Sequence, residues 1–270
     1  MHSLGLFGSS KLTAKAVVIA LVAGLLGVGV AVTSQAPASA APCGSGSTSA
    51  TYSGGDGTST STAFRISTAA DLIRLSATTA DWTGKFFIQT ADIDLAGCEW
   101  TPIGLTSSSK FTGSYNGGGF TIQGLKITTR RNHVGMFGYI DGARIERLVL
   151  KGEINVSHTP PNTDDVYYVG SLVGTAVGSS TVISQIRSEV SMVTNVRSTG
   201  GIVAEMTGTL QYSSFRASMQ VERGPGNGWG YAGGLTAVMS GGTSINDSYA
   251  RVSFSGASTY KTGINSVANQ

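Results

Sequence analysis

Hydrophobic residues recur at the same spacing in four segments between residues 145 and 254. Counted from the first apolar residue of each segment, the later apolar or small positions fall 3, 5, 7 and 9 residues further on. After the first step this is strict alternation, which is typical of strands with one buried face. The odd first step predicts a bend in the chain at that point. The predicted inward positions are Ile145, Leu148, Leu150, Gly152 and Ile154; Ile183, Ile186, Ser188, Val190 and Met192; Leu210, Ser213, Phe215, Ala217 and Met219; and Ile245, Ser248, Ala250, Val252 and Phe254.

A short glycine-rich motif also returns along the chain. Its clearest copy is the sequence VGMFG at residues 134–138, and weaker copies follow at a nearly constant spacing. A motif that returns at a nearly fixed period indicates stacked structural repeats. The matching positions in the five copies are Gly135, Ser171, Gly201, Gly234 and Gly263.

Each repeat therefore contains a short glycine-rich strand, a turn, and two further short strands separated by a bend. Three strands per turn, stacked about 4.8 Å from the previous turn, predict an all-β fold of the parallel β-helix type. A helical solenoid is excluded because no 3.6-residue period is present. A β-sandwich would need hairpin turns and antiparallel registers, which do not explain copies that run in the same direction.

Residues 1–40 have the features of a cleaved export signal. Lys11 and Lys15 supply positive charge, residues 16–32 form an unbroken apolar run, and a small-residue cleavage site ends at Ala40. A membrane anchor is the alternative, but this apolar run is close to the shortest length that can cross a bilayer as a helix. We therefore expect the rest of the chain to be secreted or held at the cell surface, with no membrane segment after signal removal.

Two elements are predicted ahead of the repeats. Residues 41–62 are rich in Gly, Ser and Thr and are predicted to be a mobile leader. Thr68 followed by Asp71 has the spacing of a capping box, which predicts a short helix that covers the N-terminal end of the solenoid. The β-helix itself is predicted over residues 63–270.

The last predicted coil is incomplete. The final motif copy begins at residue 262, and the sequence given stops before the second and third strands of that coil. Unpaired strand edges recruit other strands. This predicts either a longer parent chain or end-to-end self-association.

Charge narrows the choice of partners. The sequence has 18 Lys and Arg residues against 15 Asp and Glu. Removal of Lys11 and Lys15 with the signal leaves 16 against 15, a net charge of +1. Such a balance gives no electrostatic case for nucleic-acid binding. No cofactor is predicted either.

Two cysteines, Cys43 and Cys98, are present. In an exported protein the default expectation is one disulfide between them. Here it would tie the start of the exported chain to the first coils. A metal site built from two cysteines alone is improbable.

The motifs between residues 92 and 138 resemble the GLUG-motif repeat proteins of bacteria. They are DIDL at 92–95, WTPIG at 100–104, FTGSYNGGGFTI at 111–122 and GMFG at 135–138. The resemblance covers residues 64–267 and implies a right-handed parallel β-helix in secreted or surface-attached proteins, many of them adhesin-like. Some members lie beside the zinc domain of immunoglobulin-cleaving peptidases. The H-E-x-x-H motif of that domain does not occur in this sequence, so no catalytic residue or metal ligand is carried over.

Two long turns leave the same corner of the predicted solenoid, two coils apart. They cover residues 157–166 and 222–231, and such insertions often form the binding surface of a repeat protein. Aromatic rings cover the apolar face of a sugar, and carboxylates accept hydrogen bonds from its hydroxyls. Alternatively, the tyrosines pack under their loops and the other side chains are solvated. The candidate binding residues are Asp164, Asp165, Tyr167, Tyr168, Arg223, Trp229 and Tyr231.

Three classes of function follow from these observations. The favoured hypothesis is an exported binding or adhesion module that contacts an extracellular glycan or a surface protein. The alternatives are a carbohydrate-active enzyme, either a polysaccharide lyase or a glycoside hydrolase, and a purely structural envelope scaffold. An enzyme would need clustered carboxylates or basic groups on one sheet face. The outward positions Lys151, Glu189, Arg216 and Arg251 form a mixed row instead.

Overall fold

The strands of the computed structural model pair in parallel throughout its described part. That part comprises Cys43 and residues 51–157, 168–222, 231–256 and 261–262, all of which belong to one compact unit, residues 39–270. The described chain is all-β with parallel sheets, as predicted. Its elements are β1 (Phe64–Ile66), α1 (Ala69–Ala77), a 3₁₀ turn (Thr79–Trp82), β2 (Phe86–Gln89), β3 (Ile93–Asp94), β4 (Ser114–Asn116), β5 (Thr121–Ile127), β6 (His133–Val134), β7 (Phe137–Asp141), β8 (Arg144–Ser157), β9 (Tyr168–Gly170), β10 (Val173–Val177), β11 (Val182–Asn195), β12 (Ser198–Gly200), β13 (Val203–Gln211), β14 (Ser214–Val221), β15 (Tyr231–Gly233), β16 (Thr236–Asn246), β17 (Tyr249–Ser255) and β18 (Lys261–Thr262).

Two sheets share these strands. The larger has the order β1-β2-β4-β8-β11-β13-β10-β7, with β3, β5, β14, β16 and β17 attached beside this path. The smaller has the order β18-β15-β12-β9-β6. Each repeat contributes one short strand to the smaller sheet, then bends and contributes its remaining strands to the larger one. Strands that follow each other by one repeat therefore become neighbours.

The predicted inward columns are confirmed by the strand register. Ile183 pairs with Ile145 on one side and with Leu210 on the other, and Leu210 pairs with Ile245. Further along the same strands, Ser188 pairs with Leu150 and Phe215. The aliphatic and aromatic members of the first three segments are buried, apart from the partly buried Ala217. The hydrophobic pattern therefore specified which residues stack on which.

The predicted bend is confirmed as a left-handed backbone position in each segment. Two residues after the first inward residue, φ is 57° at Arg147, 55° at Gln185, 50° at Tyr212 and 44° at Asp247. One residue in this conformation turns the chain. It also explains why the first two inward residues are three positions apart, whereas the later ones are two apart. Non-glycine residues with positive φ are uncommon, so their recurrence at one repeat position marks a fixed corner of the coil.

In the strands that follow each motif, the spacing of the first four copies matches the pairing. Val173 pairs with Phe137 and Val203, and Val203 pairs with Thr236, as the alignment of these copies requires. In the short strands, two matches are wrong by one residue. Matching Gly135 with Ser171 would set Val134 beside Gly170, whereas Val134 pairs with Val169. The last copy is also misaligned. Matching Gly234 with Gly263 would set Ala232 beside Lys261, whereas Ala232 pairs with Thr262. Hydrogen bonding in the short strand fixes that register, whereas the sequence match relied on a single glycine.

The N-terminal capping helix is confirmed in its position and its cap. Thr68 Oγ1 accepts a hydrogen bond from the Asp71 backbone N–H at 3.2 Å, and the Thr68 N–H donates to the Asp71 carboxylate at 3.1 Å. Burial favours the neutral form of Asp71, but hydrogen bonds from Ser53, Ser67 and Thr68 outweigh it and lower the pKa of this carboxyl. Leu72 and Leu75 of the same helix are fully buried.

The leader prediction needs a correction for residues 51–62. The Arg65 N–H donates to the Gly54 carbonyl at 2.8 Å, and the Gly57 N–H donates to the Thr62 carbonyl at 2.9 Å. Tyr52 is buried, with its ring 4.4 Å from that of Phe64. This segment is therefore folded against β1. The sequence pattern missed it because one aromatic side chain anchors an otherwise polar stretch.

The predicted disulfide is present. Cys43 and Cys98 are joined with a Cα–Cα distance of 5.0 Å and a sequence separation of 55 residues. The Cys43 N–H also donates to the Glu99 carbonyl at 2.8 Å. The bond therefore fastens the start of the described chain to the segment that follows β3.

Candidate ligand-binding groove

The two described members of the predicted site lie in the same groove. Tyr168 and Tyr231 line a depression of about 310 Å³, which we call the corner groove. The other five predicted binding residues, Asp164, Asp165, Tyr167, Arg223 and Trp229, lie outside the described residues. The groove also contains residues that the sequence analysis did not select. Its lining is Tyr168, Arg197, Ser198, Glu205, Tyr231, Ala237, Val238 and Met239.

The groove follows a row of paired residues across the five-stranded sheet. His133 pairs with Tyr168, Tyr168 with Ser198, Ser198 with Tyr231, and Tyr231 with Lys261. All five occupy the same position in successive repeats, the one before the inward residue of the short strand. Because neighbouring strands lie about 4.8 Å apart, this row places aromatic rings at regular intervals with Ser198 as a gap.

The row is closed at its His133 end. The rings of His133 and Tyr168 are stacked with an interplanar angle of 4° and a centroid distance of 5.5 Å. The Tyr139 ring meets His133 edge-on at 5.0 Å, and the Thr175 hydroxyl lies 2.9 Å from His133 Nδ1. Burial lowers the pKa of His133 below its usual value, so the ring is neutral at physiological pH. This end of the row is a packed aromatic cluster.

The row has its smallest side chain at Ser198. Tyr168 and Tyr231 are separated by two strand spacings, about 9.6 Å, across the small Ser198 side chain. A flat ring in van der Waals contact with both neighbours needs about 7–8 Å between them. The strand spacing therefore leaves room for one ring between the positions of the two tyrosines.

The floor of this slot has an unsatisfied polar group. Ser198 is completely buried, and its Oγ has no hydrogen-bond partner in the described structure. A buried polar atom without a partner costs free energy, and nearly all such atoms in native proteins are satisfied. Because Ser198 is completely buried, this hydroxyl lies beneath the groove surface and is not open to a ligand.

Two charged side chains flank the slot. Arg197 precedes Ser198, and Glu205 pairs in register with Thr175 and Val238 on the larger sheet. Within the described part of the chain, neither charge forms an ion pair, although Lys110, Lys126, Arg144, Lys151 and Arg187 all do so elsewhere. Together they offer the groove several donors at one side and two acceptor oxygens at another.

A signal for the missed residues was present in the repeats. The candidate residues were chosen from long turns, which favoured aromatic and acidic side chains in those turns. Aligning the motif copies places Ser198 at the position of Tyr168 and Tyr231, which marks it as the small member of an aromatic row. No repeat position in the sequence marked Glu205 as part of the groove, because Glu205 lies after the bend, on a strand of the larger sheet.

Other carboxylates in the fold are already occupied by structural hydrogen bonds. The Glu99 carboxylate accepts from the backbone N–H groups of Thr128 and Thr129 at 2.8 and 2.7 Å. Burial raises the pKa of Glu99, and these hydrogen bonds more than reverse that effect and lower it. Asp92 and Asp94 both accept hydrogen bonds from the neighbouring coil. Among the described residues, no group of three or more His, Cys, Asp or Glu side chains could hold a metal ion.

Comparison with known proteins adds little to this description. No family model matches the chain, and the comparison with curated proteins gave no match. Among solved structures, the chain is similar to a "putative immunoglobulin A1 protease from Bacteroides ovatus", with 13% identity, a TM-score of 0.41, and coverage of 81% of this chain and 82% of that one. In the part of the chain that the structure describes, no helix has the length and apolar character needed to cross a bilayer. The class defined by the structure is an all-β protein of stacked parallel strands.

Proposed function

We propose that this chain is an exported binding module on a right-handed parallel β-helix, and that it binds glycans in the corner groove. The proposal places the protein among the GLUG-motif repeat proteins, secreted or at the cell surface. A surface protein that presents a glycosylated or ring-bearing side chain would be recognised by the same chemistry.

Three structural features support the solenoid part of the proposal. All described pairings are parallel, neighbouring strands are about one repeat apart in sequence, and each repeat visits both sheets in the same order. Right-handedness is the usual outcome when a strand crosses to a parallel neighbour in the same sheet. The disulfide supports export, since such bonds persist in oxidising compartments.

The observation that carries the binding proposal is the gap in the aromatic row. Tyr168 and Tyr231 stand on either side of Ser198, whose small side chain is buried beneath the groove. A pyranose ring has apolar C–H faces and equatorial hydroxyls. It would therefore stack between the tyrosines and hydrogen-bond to Arg197 and Glu205 at its edges.

The composition of the groove favours binding over hydrolysis. Glycoside hydrolases use two carboxyl groups about 5–10 Å apart across the scissile bond. Glu205 is the single carboxylate among the described lining residues of the corner groove. One carboxylate can orient a sugar hydroxyl, but it does not supply both the acid and the base.

The test is a screen of the exported chain on an array of mono- to tetrasaccharides. The chosen variant is Tyr231→Ala, which removes one wall of the slot from a side chain that is 37% exposed. Its matched control is Tyr212→Ala, which removes a tyrosine that is 57% exposed and outside the groove. We expect specific glycan binding that Tyr231→Ala weakens about tenfold or more, while Tyr212→Ala leaves it unchanged. Equal effects of the two variants would refute the site, and an array without binding would favour the scaffold alternative.

A further inference from the structure

The two charged side chains of the corner groove come from different sheets. Arg197 immediately precedes β12 of the smaller sheet, and Glu205 lies on β13 of the larger sheet. Both line the groove, Arg197 as an exposed residue and Glu205 as a half-buried one. The groove therefore offers hydrogen-bond donors on the side of one sheet and acceptor oxygens on the side of the other.

Both groups have hydrogen-bonding capacity left for a ligand. Within residues 51–157, 168–222 and 231–256, neither the Arg197 guanidinium nor the Glu205 carboxylate forms an ion pair or a side-chain hydrogen bond. Thr175, which pairs in register with Glu205, has its hydroxyl 2.9 Å from His133 Nδ1 and so belongs to the packed aromatic cluster. A ligand that enters the groove therefore meets one donor group and one acceptor group.

An apolar surface lies directly beside the Glu205 carboxylate. Val238 pairs in register with Glu205, one strand spacing or about 4.8 Å away, and also lines the groove. Ala237 lines it next to Val238, and both side chains are partly exposed. A sugar hydroxyl can hydrogen-bond to the carboxylate, but it gains nothing from the apolar surface beside it.

An acetamido group, the substituent of N-acetylated amino sugars, matches this arrangement. Its amide is planar and trans, so the N–H and the methyl group lie on one side and the C=O points to the other. With the N–H donating to Glu205, the methyl group falls beside Val238, and the C=O faces the donors of Arg197. Each part of the substituent then contacts a surface of its own kind.

We propose that the corner groove selects saccharides that carry an acetamido group. This inference rests on the proposed glycan-binding function and adds the class of sugar to it. A charged substituent in the same place, a uronate carboxylate or an ammonium group, would pair with either Arg197 or Glu205 but lie close to a like charge on the other. The neutral acetamido group satisfies both residues, and the sugar ring stacks on the tyrosines.

Three disaccharides test the selection. N,N′-diacetylchitobiose, cellobiose and chitobiose share one backbone and one linkage, and differ in bearing acetamido, hydroxyl or amino groups at the second carbon of each ring. Calorimetric titration of the exported chain measures the three affinities. We expect N,N′-diacetylchitobiose to bind at least about tenfold more tightly than either of the others.

The outcomes separate this inference from the glycan-binding proposal. Equal affinity for cellobiose, tighter binding of chitobiose, or no binding of N,N′-diacetylchitobiose by a chain that binds another saccharide overturns the selection and leaves glycan binding intact. Binding of no saccharide at all refutes both. A capped amino acid, N-acetylalanine methylamide, presents amides without a sugar ring, and we expect it to bind at least about tenfold more weakly. Equal binding of this compound would assign the groove to peptide amides and overturn the inference.

A valine-to-threonine pair of variants tests the placement of the methyl group. Val238→Thr replaces an apolar methyl beside Glu205 with a hydroxyl of similar shape. Val193→Thr makes the same change at a partly exposed position of β11 outside the groove. We expect Val238→Thr to lower the ratio of the affinities for N,N′-diacetylchitobiose and cellobiose at least about fivefold, without weakening cellobiose, and Val193→Thr to leave the ratio unchanged. A ratio that Val238→Thr leaves unchanged, or that both variants lower equally, overturns the inference.

Discussion

Tyr168 and Tyr231 occupy equivalent positions on two strands that are separated by one intervening strand, and Ser198 lies between them in register. This relationship connects the repeat architecture to the proposed function. In a solenoid, equivalent positions of successive coils lie next to each other. Here the equivalent residue is aromatic in two coils and is the small Ser198 in the coil between them. The result is a gap between two tyrosines, on strands that the backbone hydrogen bonds of the sheet hold in place.

The motif glycines are expected to be sterically obligatory. A Cβ added to Gly201 would lie 1.9 Å from the Gly234 carbonyl oxygen and 2.6 Å from the Phe215 ring. We expect Gly201→Ala to reduce the free energy of unfolding by about 1–3 kcal/mol or more, because the fully buried Phe215 and the next coil must shift.

The matched control for this prediction is Gly241→Ala. A Cβ at Gly241 would have no heavy atom within 4 Å. We expect this change to be neutral or to stabilise the fold by up to about 1 kcal/mol, because alanine lowers the conformational entropy of the unfolded chain. Chemical denaturation of both variants measures the difference. Similar midpoints for the two would contradict the close coil-to-coil packing at the motif.

The buried His133 predicts a pH dependence of stability. Its folded pKa is lowered by burial, so the unfolded chain binds a proton more readily than the folded one. The contribution is fully present above the unfolded pKa of about 6.5 and declines as the pH falls below it, by up to about 1.4 kcal/mol per pH unit. Denaturation at about pH 7.5, 6.5 and 5.5, on both sides of the unfolded pKa, measures this slope.

His133→Phe is the variant that isolates this effect. It keeps a ring stacked on Tyr168 but removes the titrating group, so we expect the difference from the unaltered protein to change with pH across this window. The carboxylates with lowered pKa values, Asp71 and Glu99, titrate at lower pH. A difference that stays constant across the whole window would mean that His133 is not protected from protonation by the fold.

The Cys43–Cys98 bond is expected to stabilise the N-terminal end of the fold. For a sequence separation of 55, the chain-entropy model gives about 4 kcal/mol. Peptide mapping of the exported protein without reductant should recover the cross-linked peptide, and reduction should lower the thermal midpoint. Free thiols at both positions in the exported protein would contradict the assignment.

Much of the fold was predictable because each signal was local and repeated. The column through Ile145, Ile183 and Leu210 is a period-two pattern that needs no tertiary knowledge. The folding of residues 51–62 was not predictable, since Tyr52 gains its partners Phe64 and Phe87 only in three dimensions. The alignment of the last motif copy was also wrong, because a lone glycine is a weak marker of register.

The candidate site was predictable only in part. Tyr168 and Tyr231 were selected because they flank long turns, and both line the corner groove. Arg197 and Glu205 were missed because nothing in their local sequence distinguishes them from solvated charges. They become neighbours of the slot only when the chain bends from the smaller sheet into the larger one.

Filling the corner groove tests the central claim most directly. Val238→Trp places a ring in the groove from a partly exposed lining position and leaves every other groove residue unchanged. The matched control is Lys151→Ala, on an exposed position of β8 outside the groove. The measurement is the affinity of each exported chain for a saccharide selected on the array, by calorimetric titration, together with its thermal midpoint. We expect Val238→Trp to lose binding at least about tenfold with a thermal midpoint close to that of the unaltered protein, while Lys151→Ala binds as the unaltered protein does. Undiminished binding by a folded Val238→Trp chain would contradict the groove as the binding site.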